Sequence, residues 1–297
     1  MKEGLIIPEG RAKSKKYSLK RIEDLIVPVD LKDLEEHQVW MKHFDSYFKH
    51  FNENIYDICN YGLTEMLNNA IDHSETREGF VGFTHFPNKI ELCVNDNGIG
   101  IFNKISKELH LSDNREAILE LSKGKFTTDP DNHTGEGIFF SSRVFDEFSI
   151  LSGNLFFIHH YEKDDWLLEE EEEETKGTYV TMQIKLNVDR TTTDIFNKYS
   201  GEEYDYSFRR THVPLSLARY GTEKLVSRSQ AKRILSRFER FDEVMLDFSG
   251  IDFIGQAFAD EIFRVYKSKH PNVNIISVEA NERIRSLINS IISNSKS

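Results

Sequence analysis

Glu65 and Asn69 stand four residues apart in LTEMLNNAIDHSE, residues 63–75, so on a helix they stack on one face and bring a carboxylate and an amide oxygen to one place. A carboxylate so held can orient and deprotonate a water. A neutral amide oxygen suits a hard cation such as magnesium that draws its other ligands from phosphate and water. Leu63, Met66, Leu67, Ala70 and Ile71 already supply the stretch with an apolar face. Taken alone, Glu65, Asn68, Asn69, Asp72 and His73 are equally what the solvated side of an amphipathic helix contains.

Three glycine-bearing motifs follow in order: DNGIG at 96–100, TGEGI at 134–138 and KGT at 176–178. Each has a bland reading by itself. Asp, Asn and Gly make turns on backbone grounds, and Gly135 and Gly137 can simply connect into a helix. Together their chemistry is coherent as an ATP site. Asp96, at a strand end, can accept from the exocyclic amine of adenine, while Gly98 and Gly100 let the backbone pass close to the base. Gly135 and Gly137 free backbone amides at a helix N-terminus, an anion site for the phosphate chain. Lys123 and Lys125 can add positive charge there, against the alternative of an exposed, solubilising role.

These residues need elements to hold them. At 297 residues the chain has room for two domains. Residues 1–30 read as a flexible N-terminal arm, basic from Arg11 to Arg21. Residues 31–59 carry apolar positions at helical spacing and lead straight into the helix of Glu65. GFVGFTHF and KIELCVND read as two antiparallel strands joined at Pro87-Asn88. Residues 101–137 are polar and too long for a simple connection, with one helical pattern, NREAILELS, and read as a lid. Residues 138–148 read as a helix, and 149–161 and 177–186 as strands. The acidic run between those strands reads as a loop or strand edge. After about residue 200 the order becomes helix, strand, helix, strand, helix.

Glu65, Asn69, DNGIG, TGEG and KGT resemble the motifs of the GHKL ATPase superfamily, the Bergerat fold of gyrase, the heat-shock chaperone ATPase and histidine kinases. No Walker G-x-x-x-x-G-K-[ST] motif is present. The resemblance implies an α+β fold, a Bergerat-type sandwich with helices on one face of a mixed sheet, spanning residues 31–200 with the lid at about 101–137. It implies Glu65 as general base, Asn69 as magnesium ligand, Asp96 as adenine reader, and Gly98 and Gly100 beneath the base. It also implies Gly135 and Gly137 at the phosphates, Thr178 in a water network near adenine, and Asp72 as an acidic neighbour ordering the helix. His73 within NAIDHS is similar instead to the helix of anti-sigma-factor serine kinases, and the lid has only the short glycine series TGEG.

VMLDFSGIDFIGQAFADEIF, residues 244–263, resembles the strand, turn and helix of STAS-like domains and places a small α/β domain over residues 201–297. Gln256 and Ala257 occupy the turn where an acceptor hydroxyl is expected, and Ser249 at the strand end reads as a cap. The formal net charge of −12, from 50 acidic and 38 basic residues, argues against sequence-independent DNA binding except through the basic arm. No secretory leader or membrane-spanning run is visible, so a cytoplasmic protein is expected. Cys59 and Cys93 read as buried thiols, and His159 and His160 as ordinary structure. The leading expectation is a slow magnesium-dependent ATPase that acts as a regulatory switch, its STAS-like domain meeting an unidentified protein partner, with homodimerisation common among such proteins. The alternatives are an anti-sigma-type serine kinase and a module that binds ATP without turnover.

Overall fold

The computed structural model describes residues 5–9, 16–126, 135–162, 165–200, 208–219 and 223–294. It divides into two compact units. Residues 1–104 and 140–192 make the first, and residues 105–139 and 193–297 the second.

The first unit holds β1 (Ile6–Glu9), β2 (Lys16–Leu19), β3 (Glu23–Asp30), α1 (Glu36–His43), α2 (Asp45–Phe48), α3 (Glu53–His73), β4 (Glu78–Phe86) and β5 (Lys89–Asp96). Helix α4 (Ile101–Glu108) begins in it and leads into α5 (Asn114–Lys123) of the second unit, and α6 (Gly137–Val144) leads back to β6 (Glu147–His160) and β7 (Asp165–Lys185). The main sheet runs β3-β4-β5-β7-β6 with every neighbour antiparallel. The α+β class therefore holds, with an antiparallel sheet where a mixed one is expected.

Helix α3 starts where the Asn52 side chain accepts from the Ile55 amide at 2.8 Å. Its periodic Ile55, Ile58, Cys59, Leu63, Met66, Leu67 and Ala70 are buried, and it packs on β5. Gly62 permits close approach, since a Cβ there would fall 2.3 Å from the Phe145 ring. Trp40, Phe44 and Phe48 are wholly buried, and the Trp40 indole donates to the Tyr56 hydroxyl at 3.1 Å, which donates to Asp45 at 2.8 Å. That satisfies the polar handles an aromatic core would otherwise strand.

Residues 23–30 correct the reading of an arm through residue 30. EDLIVPVD is an edge strand paired with β4 over its full length. Pro28 is tolerated because an edge strand has one side free of ladder bonds. Residues 16–19 are a strand paired with β1, and residues 11–15 of the basic arm lie outside the described residues. The acidic run resolves as strand rather than loop, since β7 continues through it paired with β6 across a bulge near Gly153.

The second unit adds α7 (Thr192–Tyr199), β8 (Arg210–Pro214), α8 (Arg228–Leu235), β9 (Glu243–Asp247) and α9 (Gln256–Asp260). Helix α9 runs on through a π-helical turn at Glu261–Tyr266 into α10 (Lys267–Lys269), followed by β10 (Asn274–Val278) and α11 (Glu282–Asn294). Its sheet is parallel, in the order β10-β9-β8. Two features depart from expectation. Strand β8 is absent from the sequence reading, and residues 105–139, expected as part of the ATP-binding domain, cluster with the second unit. Cys59 and Cys93 are free thiols. Among the described residues no helix is long and apolar enough to cross a membrane.

Candidate functional site

The site is built where β5 ends against the interior of β7, with Asp96 directly opposite Thr178 in the ladder. Asp96 is 5% exposed, and its Oδ1 accepts from the Gly98 amide at 2.8 Å, closing the turn that follows the strand. Burial pushes its carboxyl above the usual carboxylate range, and hydrogen bonds from Gly98 and Thr178 oppose that rise. The Thr178 hydroxyl also accepts from the Ile101 amide at 3.1 Å, tying β7 to the first turn of α4. The Ile99 amide donates to the Ser74 carbonyl at 3.0 Å, tying the same turn to the end of α3.

Two glycines make this closeness possible. A Cβ on Gly98 would fall 1.9 Å from the Ser74 carbonyl oxygen. At Gly177, with φ +77°, a Cβ would fall 2.0 Å from the Asp96 carbonyl oxygen. Gly177→Ala is therefore expected to destabilise the fold by at least about 1–3 kcal/mol from the left-handed backbone alone. A lowered midpoint in urea unfolding is the measurement, and an unchanged midpoint would show that β7 can retreat from the Asp96 backbone.

On α3, Glu65 and Asn69 are half-buried and one turn apart, and Asp72 is exposed. The Asn69 amide nitrogen is buried without a hydrogen-bond partner. An amide head group not tied down by its nitrogen fits a residue whose oxygen serves a cation, so the donor set suits magnesium at that position. Among the described residues no group of three His, Cys, Asp or Glu side chains forms a metal cluster.

Sequence reasoning missed three participants. The Ser74 carbonyl receives the DNGIG turn, and the Ser152 hydroxyl donates to the Gly177 carbonyl at 2.8 Å. Lys104 donates to the His73 carbonyl at 3.0 Å, placing positive charge at the C-terminal end of α3. Ser74 was within reach of reasoning, since it directly follows the helix. Ser152 carries no signal within an ordinary strand pattern.

Gly135, Gly137 and Lys125 fall in the second unit. The φ of +70° at Gly135 serves a close approach to the Phe126 backbone, where a Cβ would sit 2.2 Å from the carbonyl oxygen. Lys125 donates to the Arg240 carbonyl at 3.0 Å and lies over the Phe208 and Phe241 rings. Lys123 is wholly buried, its ammonium 2.5 Å from Glu120. Both lysines are thus engaged within the second unit, where either positive charge for the phosphates or an exposed, solubilising role is expected. Ser249, expected as a cap, instead donates from both its amide and its hydroxyl to Asp247 Oδ1, at 2.8 and 2.6 Å, so the aspartate caps the turn after β9. His159 donates from Nδ1 to the Ser142 carbonyl at 2.6 Å, an ordinary structural contact.

Residues 60–188 match the family described as histidine kinase-, DNA gyrase B- and HSP90-like ATPase. Residues 230–290 match a STAS-like domain of unknown function. No curated protein matches the chain.

Proposed function

We propose that this chain, which carries a domain of the histidine kinase-, DNA gyrase B- and HSP90-like ATPase family followed by a STAS-like domain, is a nucleotide-dependent regulatory switch. It binds ATP in the first unit, hydrolyses it slowly, and uses the second unit to engage a protein partner. The observation that carries the ATP reading is the buried Asp96 carboxylate, fixed by the Gly98 amide and Thr178 where β5 ends against β7. An acceptor so placed recognises an amine on a flat heterocycle, and Gly98 and Gly177 let the backbone close tightly around the carboxylate that offers it. Asn69 would hold magnesium, which supplies charge neutralisation to the phosphate chain when bound. Glu65, one turn before it, takes the proton from the attacking water. Gly135 lies two residues before α6 and Gly137 begins it, a helix N-terminus of the kind that holds phosphate.

A switch needs a free-energy difference between nucleotide states, and the long segment between DNGIG and TGEG is the element best suited to register it. The fate of γ-labelled ATP tests this reading. Label released as free phosphate, slowly and only with magnesium, is expected. Label retained on protein would replace the switch with a serine kinase, and binding without release would leave a module gated by ATP occupancy alone.

A further inference from the structure

Residues 105–139 interrupt the first unit in sequence and yet belong to the second in space. Helix α5 packs on β8 and on the turn at 215–218. Its Ala117, Ile118, Leu119 and Leu121 are buried. At the centre of that packing Glu120 is 3% exposed, Lys123 0% and Arg237 8%. Glu120 Oε1 accepts from Lys123 Nζ at 2.5 Å and Oε2 from the Arg237 guanidinium at 3.0 Å. Each cation also reaches across to a carbonyl. Lys123 donates to Ser236 at 3.0 Å and Arg237 to Gly124 at 2.8 Å. The Thr211 hydroxyl of β8 donates to the Lys123 carbonyl at 2.7 Å. Lys125 and Arg240 exchange a further pair, each donating to the other's carbonyl at 3.0 Å. Arg237 holds a left-handed backbone, φ +66°, a strained conformation that persists only where its surroundings fix it.

A buried charge cluster contributes little net stability, but separating its members strands uncompensated charge. Sliding α5 off β8 would leave Glu120 and Lys123 paired on their own helix but would separate Arg237 from Glu120 and Lys123 from the Ser236 carbonyl, stranding the Arg237 guanidinium. We propose that the lid is a built-in element of the STAS-like domain, which the Glu120, Lys123 and Arg237 cluster makes open and move with it as one body, so that nucleotide occupancy reaches that domain through α5. The second half of this statement rests on the ATP reading above, and the first does not.

Hydrogen exchange of the full chain tests both, in wild type, Arg237→Asn and Thr211→Val, with and without ATPγS and magnesium. Asparagine tolerates the left-handed backbone, so Arg237→Asn removes the guanidinium without new strain. Without nucleotide, residues 114–124, 210–214 and 234–247 of Arg237→Asn are expected to exchange faster together, by about tenfold or more. Residues 53–73 should keep their protection. Thr211→Val should move the same segments by less, and carries the test alone if Arg237→Asn does not fold. Faster exchange at 234–247 with 114–124 unchanged would overturn the shared body. With nucleotide, wild type should change protection in both 114–124 and 234–247, and Arg237→Asn should lose the second response while keeping the first. A wild-type response confined to 114–124 would overturn transmission. No response anywhere, residues 96–101 included, would sink the ATP reading while leaving the shared body standing.

Discussion

Replacing Asp96 by Asn is expected to weaken ATP binding by about tenfold to a hundredfold or more, the range for losing a hydrogen bond to a charged group. Titration calorimetry with ATPγS and magnesium measures it. The substitution keeps size and shape, so an unfolded variant is not the expected cause of lost binding. The Gly98 amide still finds an oxygen, but half of the time-averaged acceptor surface becomes an amide nitrogen that repels the adenine amine. Similar affinity in Asp96→Asn would remove Asp96 as the base reader. The pH dependence supplies an independent check. Burial holds the Asp96 carboxyl above its ordinary range, so the folded chain binds that proton more tightly than the unfolded one. Between the ordinary and the raised value, the contribution of Asp96 to unliganded stability falls as pH rises. ATP binding requires the carboxylate and moves the other way, weakening on acidification from a higher pH than an ordinary aspartate would give. Opposite slopes for stability and affinity are the signature, and Asp96→Asn should flatten both.

Glu65→Gln is expected to leave ATP binding within about twofold of wild type and to lower turnover by roughly a hundredfold to ten-thousandfold, the usual worth of a positioned general base. Glutamine fills the same space on α3 and keeps an oxygen that can orient water, but it cannot take the proton. Turnover followed as phosphate release separates this from a loss of occupancy. Unchanged turnover would remove Glu65 from the chemistry and point to a base on another element.

The parts of the fold read correctly from sequence are those whose information is local. Helix α3 is legible because Ile55, Ile58, Cys59, Leu63, Met66, Leu67 and Ala70 keep a helical period and are all buried. The hairpin of β4 and β5 is legible from alternation around Pro87-Asn88. Strand β3 was hidden by its own composition. Its charges and Pro28 suit an exposed edge, and an exposed edge looks like an arm. Helix α4 buries only Phe102 and Ile105, too few positions to establish a period. Strand β8 is five residues long and buries Thr211 and His212, the latter 3.1 Å from Asp247, polar residues that no hydrophobic pattern flags. Within the site, Asp96, Gly98 and Thr178 come together as the motifs suggest, because strand ends and turn glycines carry their geometry with them. Lys123 and Lys125 were judged by charge alone. Their partners, Ser236 and Arg240, lie 113 and 115 residues away, and no local rule reaches that far.

That separation also orders events during synthesis. The chain makes Glu120 and Lys123 well before Arg237, and their mutual contacts with the second unit close loops of more than a hundred residues. Contacts of such long range are slow to form and leave their surfaces open meanwhile. As the ribosome proceeds, α5 emerges without β8, and Ile118, Leu119 and Leu121 have nothing to cover them until the last third of the chain arrives. The nascent protein therefore passes through an interval in which the first unit is largely made and α5 is not yet folded against β8. The packing of α5 is complete only when synthesis reaches Arg237 and Arg240.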